Sequence, residues 1–115
     1  MVDSLAMQCS PDRMDDGLAA SRLEALGNTT RLRIYRLLVR AGGTGLAVGQ
    51  LQERLGIPPS TLSHHCKTLI AAGLVLQERV GTSLICRTNY AVMRELVDFL
   101  AAECCVDEAR GPDKR

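Results

Sequence analysis

No apolar run in this chain approaches the roughly 18 to 20 residues that a membrane span requires. The opening stretch MVDSLAMQCSPDRMDD has neither a basic start nor an apolar signal core. Both absences point to a cytoplasmic protein with no membrane partner. Internal repeats and low-complexity tracts are missing too, and 115 residues suit one domain with a modest core. Enzyme signatures are lacking: there is no glycine loop to cradle phosphate, no paired acid and base, and no Cys-x5-Arg motif for an oxyanion. Five cysteines (Cys9, Cys66, Cys86, Cys104, Cys105) form an odd set without small-scaffold spacing. In a reducing compartment they stay thiols, as packing groups or ligands. A large charge excess is absent as well, the formal net being +1. That balance is uneven. Residues 1–16 carry four acids and one base, residues 17–106 ten bases and six acids, and residues 107–115 balance. A mildly basic folded part permits nucleic-acid binding without requiring it.

What is present is a dense, short-looped pattern. Residues 1–15 hold no period and read as a mobile arm, residues 16–106 as one domain, and residues 107–115 as a disordered tail. Leu18, Ala19, Arg22, Leu23 and Leu26 recur at helical spacing up to Gly27-Asn28. Thr29 and Thr30 can cap a second helix that Leu32, Ile34, Tyr35, Leu37, Leu38 and Val39 fill almost all round, with Arg31, Arg33, Arg36 and Arg40 outermost. A short third helix, Ala47 to Leu55, stops at Gly56, and a fourth opens at Pro58-Pro59 and ends before Gly73. Next, LVLQERV and SLICRT flank Gly81-Thr82 as a β-hairpin. A final amphipathic helix runs from Tyr90 to about Cys105 on the stripe 93/97/100/104. The fold class is therefore α+β, mainly α: a winged helix-turn-helix of five helices with a β-hairpin wing.

The fourth helix carries the functional signal. In PPSTLSHHCKTLIAAG, Leu62, Cys66, Leu69 and Ile70 form the buried stripe, and Ser60, Thr61, Ser63, His64, Lys67 and Thr68 lie opposite. Small hydroxyls, an imidazole and a cation at a helix N-terminus, with no long acid on the helix, suit phosphate and base-edge contacts. The hairpin adds Arg79 and Arg87.

The run LGIPPSTLSHHCKTLIAAGLV resembles the signature of the ArsR/SmtB family of metalloregulatory repressors, and the resemblance spans about residues 18–105. It implies a winged-helix homodimer joined through its first and last helices, binding imperfect palindromes in double-stranded operator DNA until an inducer lowers affinity. By that resemblance Thr61, Ser63 and His64 meet the major groove, supported by Ser60 and Lys67. The wing between Arg79 and Arg87 reaches the neighbouring backbone or minor groove. His65, beside the apolar stripe, reads as a packing or hydrogen-bonding residue. Two inducer sites recur in the family, and neither is present here. The cysteine-valine-cysteine pattern falls on Ala47, Val48 and Gly49, and Ala91 to Cys105 contains no histidine.

The stretch AAECCVDE then becomes the candidate inducer site. Some family members carry such a cysteine pair at the end of the last helix. Adjacent Cα atoms are about 3.8 Å apart, below the usual 4.4–6.8 Å of a disulfide, so a Cys104–Cys105 bridge is strained. Neighbouring acids and the helix C-terminus oppose thiolate formation, which disfavours a fast redox nucleophile. A soft ion displaces the thiol proton directly, and zinc would want four ligands that are not found. The expected inducer is trivalent arsenic or antimony on Cys104 and Cys105, with Cys9 as third ligand for the inorganic ion. An organoarsenical would need only the pair. No permanent cofactor is expected. Cys66 and Cys86 read as packing residues. Two alternatives stand beside this reading: a thiol-redox or sulfide sensor pairing Cys9 or Cys86 with a final cysteine, and a winged-helix protein-interaction module that reads no DNA.

Overall fold

The computed structural model describes residues 14–110, so the expected arm, its Cys9 and the end of the tail lie outside the described residues. In chain order the elements are α1 (Asp16–Leu26), α2 (Thr29–Ala41), β1 (Leu46–Ala47), α3 (Val48–Leu55), α4 (Pro59–Ala71), β2 (Val75–Val80), β3 (Ser83–Thr88), α5 (Tyr90–Ala101) and a five-residue α6 (Val106–Arg110). The five expected helices and the wing hairpin are all present.

Local chemistry explains most boundaries. The Asp15 carboxylate accepts from the Leu18 N–H at 2.8 Å and starts α1. Asn28, not the expected Thr29 or Thr30, caps α2 by accepting from the Arg31 N–H at 3.0 Å. The physical reason is position: Asn28 is the last extended residue before the helix, whereas both threonines are already inside it. Gly56 ends α3 in the left-handed conformation (φ 66°, ψ 33°) and sets the turn of the helix-turn-helix.

Helix α2 is central, as expected, through Ile34, Tyr35 and Leu38. Leu51 of α3, Leu62 and Leu69 of α4, Leu74, and Val75 and Cys86 of the sheet close the core around it. Apolar coverage of α2 is not complete, because Leu32 stays 43% exposed. The sheet is antiparallel, in the order β1-β3-β2, with Leu46 opposite Cys86 and Gln77 opposite Cys86 from the other side. The two-residue β1 therefore covers the inner edge of the wing. Its entry is constrained at Gly45 (φ 68°), where a Cβ would lie 2.4 Å from the Cys86 carbonyl oxygen.

The last helix ends earlier than its sequence period suggests. It stops at Ala101, and Ala102 leaves in extended geometry (φ −60°, ψ 140°). Glu103 and Cys105 then take positive φ (65° and 64°). Cys104 and Cys105 thus occupy a turn between α5 and α6 and do not extend the apolar stripe. No base lies in the final turn of α5, and Asp98 and Glu103 add negative charge beside its negative dipole end, which favours an early stop.

Candidate functional site

The exposed face of α4 is built from the inside outward. Leu62, Cys66 and Leu69 are buried against the core, and Ile70 is half-buried. That fixes the helix rotation, leaving Ser60, Thr61, Ser63, His64 and Lys67 exposed together. Pro58 precedes the helix and Pro59 opens it, with no side chain capping the N-terminus. The first-turn N–H groups therefore remain open toward the same face as the hydroxyls, a favourable setting for anionic oxygen. Thr68, included on that face by its period, instead donates its hydroxyl to the His64 carbonyl at 3.2 Å.

His64 and His65 diverge in role although they are neighbours. Their rings stand 5.7 Å apart at 55°. The Arg31 guanidinium, which also donates to the Ala25 carbonyl at 2.6 Å, lies 3.3 Å from His65 Nδ1. Arginine has only donors, so Nδ1 accepts and the neutral ring carries its proton on Nε2. Burial, then Arg31, then His64 hold the His65 imidazole below the ordinary histidine range. His65 is thus a neutral strut joining α1, α2 and α4, which frees His64 as the exposed imidazole.

In the wing, Arg79 is exposed on β2. Arg87 is placed differently. Its Nη1 pairs with Glu78 Oε1 at 2.5 Å, and its Nε donates to the Gly43 carbonyl at 2.8 Å. These bonds fasten the base of the wing to the turn after α2 and leave Arg79 as the unengaged guanidinium of the two. Sequence order hid a further basic feature: Arg33, Arg36 and Arg40 of α2 meet Arg54 of α3 around a recess of about 270 Å³. Periodicity places the first three on one face of α2 but says nothing about which helix packs beside them.

The candidate inducer thiols are both exposed, with their sulfurs 3.5 Å apart. The Cys104 thiol and the Glu108 carboxylate, in that order, push the Cys105 thiol above its ordinary range. Among the described residues no cluster of three or more histidine, cysteine or acidic ligands suited to a metal ion is formed. The pair therefore supplies two sulfurs from one turn. Cys66 and Cys86 are buried in the core, in agreement with their packing reading.

The apolar faces of the flanking helices are incompletely covered. Leu23 of α1 is 40% exposed, and Val97 and Leu100 of α5 are 54% and 58% exposed. Arg22, itself buried, locks α1 to both neighbours by donating to the Ala72 carbonyl at 3.3 Å and pairing with Glu95 at 3.6 Å.

Fold and site together define a winged-helix DNA-binding regulator. The helix-turn-helix domain family matches residues 26–78. The chain is 37% identical over 81 residues to the uncharacterized HTH-type transcriptional regulator YceK of Bacillus subtilis (strain 168), covering 70% of this chain and 75% of that protein. Among solved structures, HlyU from Vibrio cholerae N16961 is similar at 29% identity, covering 76% of this chain and 97% of that one, with a TM-score of 0.61. An ArsR-like transcriptional regulator from Rhodococcus sp. RHA1 matches at 26% identity, 82% and 86% coverage and a TM-score of 0.70. The chain belongs to the HTH-type transcriptional regulators, with an ArsR/SmtB-like winged-helix fold. It is a regulator and not an enzyme. No helix among the described residues is long and apolar enough to cross a membrane.

Proposed function

We propose that the protein is a homodimeric repressor of an arsenic-resistance operon. It binds an imperfect palindrome and releases it when a trivalent arsenic or antimony species, inorganic or organic, is captured by Cys104 and Cys105. The observation that carries the sensing step is the exposed thiol pair, whose sulfurs lie 3.5 Å apart so that one soft centre can bridge both. Inorganic arsenite recruits Cys9 as the third sulfur; an organoarsenical is satisfied by the pair.

DNA is read by Thr61, Ser63 and His64, with Ser60 and Lys67 on phosphates and Arg79 reaching from the wing. Dimerisation through α1 and α5 is supported by the exposed apolar groups Leu23, Val97 and Leu100, which a second copy would cover. The thiol turn follows directly on α5, so a captured ion reshapes the end of the dimer helix and alters the spacing of two recognition helices that must match half-sites one DNA turn apart.

The test is operator binding by the fully reduced protein, titrated with arsenite, antimonite and phenylarsenite. Release by one or more of these, lost in Cys104→Ser/Cys105→Ser, supports the reading. Operator binding unchanged by all three, or full induction of the double variant, rejects it. Binding without sequence preference or salt dependence would favour a protein-interaction role instead.

A further inference from the structure

The basic recess between α2 and α3 lies outside both the DNA-reading face and the thiol turn, since its lining includes no residue of α4, the wing or the turn after α5. Arg33, Arg36 and Arg40 fall at i, i+3 and i+7 and so share one face of α2. Packing brings Arg54 of α3 beside them, around a recess of about 270 Å³ whose remaining walls are Leu37 and Leu55. All four arginines are exposed, and both leucines are half-buried. No acid contributes to the lining.

Other arginines of this fold are engaged. Arg22 pairs with Glu95, Arg31 donates to the Ala25 carbonyl, and Arg87 holds Glu78 and the Gly43 carbonyl. The four around the recess enter no ion pair or hydrogen bond among the described residues. Like charges at three- and four-residue spacing repel along a helix, and Arg54 adds a further cation from another element. A solvated helix face accounts for the three arginines of α2. It does not account for a fourth, brought by a second helix, on the rim of the same half-apolar recess.

The chemistry selects the ligand. Guanidinium is always charged, has only donors, and presents a planar fork that matches phosphate oxygens. Four such groups favour an anion of several charges over a lone carboxylate. The recess has room for on the order of nine waters at about 30 Å³ each, which suits a diphosphate group. Leu37 and Leu55 offer apolar surface to the carbon that the phosphates are attached to. We propose that this recess is a binding site for a small phosphorylated molecule, with Arg33, Arg36 and Arg40 of one helix and Arg54 of the other gripping its phosphate oxygens. A DNA backbone offers the same oxygens, but the concave shape and the place of the recess favour a small ligand. Helix α3 runs from Val48, which lines a separate cavity with Ser63 and Lys67 of α4, to Leu55 at the basic recess, about 10 Å further along its axis.

The probe is inorganic pyrophosphate without divalent metal, titrated calorimetrically into the full reduced chain at about 0.15 M sodium chloride, where exposed charges more than about 8 Å apart are screened. One pyrophosphate is expected to bind per chain with a dissociation constant below about 1 mM. Arg36→Ala/Arg54→Ala, one change on each helix, is expected to weaken binding about tenfold or more. Arg36→Lys/Arg54→Lys keeps both charges but loses both forks, and a weakening of about threefold or more is expected. Arg94→Ala removes an exposed cation of α5 outside the recess and is expected to leave affinity within about twofold. Urea unfolding midpoints near the parent's exclude misfolding of these surface variants. Absence of pyrophosphate binding, or equal weakening by Arg94→Ala and by the double alanine variant, overturns the proposal. A lysine variant that binds like the parent overturns the grip by guanidinium forks. In a second arm, pyrophosphate is expected to bind the operator complex as tightly as the free protein. Exclusion of pyrophosphate by operator DNA, or an operator affinity that falls in Arg36→Ala/Arg54→Ala with a shallower salt dependence, assigns the recess to the DNA backbone and overturns the small-ligand site. The operator arm rests on the DNA-binding role proposed above, whereas calorimetry on the free protein does not, so failure of either can be told apart.

Discussion

The molecule carries two thiol pairs made in opposite ways. Cys104 and Cys105 are neighbours in sequence, both exposed, in a turn whose residues Glu103 and Cys105 adopt left-handed backbone. Cys66 and Cys86 are twenty residues apart in sequence and buried in one core cluster, one on a helix and one on a strand. Sequence adjacency holds the first pair too close along the backbone for an easy disulfide yet presents both sulfurs to a bulky soft ion. Burial in the core shields the second pair from reagents in solvent. The environments reinforce the division. Cys104 first and Glu108 second hold the proton on Cys105, while the Gln77 amide donates to Cys86.

The widest separation should appear in alkylation kinetics. Native protein treated with a thiol reagent is expected to lose Cys104 and Cys105 at rates near those of free thiols, while Cys66 and Cys86 react only through opening of the core. A protection of at least about 10³-fold is expected for the buried pair, read by mass spectrometry against time. Similar rates for all four would mean that the junction of helix and wing is open in solution, and the comparison would collapse.

Next in size is Gly45→Ala. The substitution places a Cβ against the carbonyl of Cys86 at 2.4 Å, in a backbone conformation (φ 68°) that alanine resists. A loss of about 3 kcal/mol in unfolding free energy is expected from strain and overpacking together, measured by urea denaturation. Because the damage sits on the strand that holds Cys86, protection of the buried pair should fall with it while reactivity of the exposed pair stays unchanged.

This last point bears on what could be read from the chain beforehand. The stripe Leu62, Cys66, Leu69, the hairpin about Gly81-Thr82 and the stops at Gly27, Gly56 and Gly73 were legible, because each is a local pattern of period or turn chemistry. The exposed set on α4 followed from the same stripe. That Cys66 and Cys86 share one core cluster was not legible, since it depends on how α4 lies across the sheet. Neither was β1, which at two residues has no period to show. The capture of Arg87 by Glu78 and Gly43 and the clamp of Arg31 on His65 were hidden for the same reason: charge patterns mark candidates for pairing but not partners. The end of α5 was misread because the three-four period continues to Cys104 while the backbone does not.

A smaller effect concerns proton control at the exposed pair. The Cys105 thiol is raised first by its bond to Cys104 and then by Glu108, so its thiolate fraction below the ordinary thiol range is less than that of a free cysteine. Glu108→Gln removes the carboxylate acceptor and lowers the thiol toward its usual value. Alkylation of Cys105 measured between pH 7 and 8 is expected to speed by about two- to fivefold. The gain should vanish at pH values above both thiol ranges, where the two proteins carry the same thiolate. A rate unaffected by Glu108→Gln across the whole range would remove the acid from the account of this turn.

The smallest expected effect is the most discriminating. Cys104→Ser/Cys105→Ser changes two exposed side chains that contribute nothing to the core, so unfolding free energy should stay within about 0.5 kcal/mol of the parent. Cys86→Ser, by contrast, puts a hydroxyl into a fully buried site built for sulfur and should cost about 2 kcal/mol. If the double variant instead unfolded as easily as Cys86→Ser, the turn after α5 would be a structural element, and its loss of arsenical response would carry no information about ligand capture. A stability-neutral double variant that no longer responds to arsenicals separates binding chemistry from folding. The buried cysteines cannot offer that separation, because there the sulfur is part of the core.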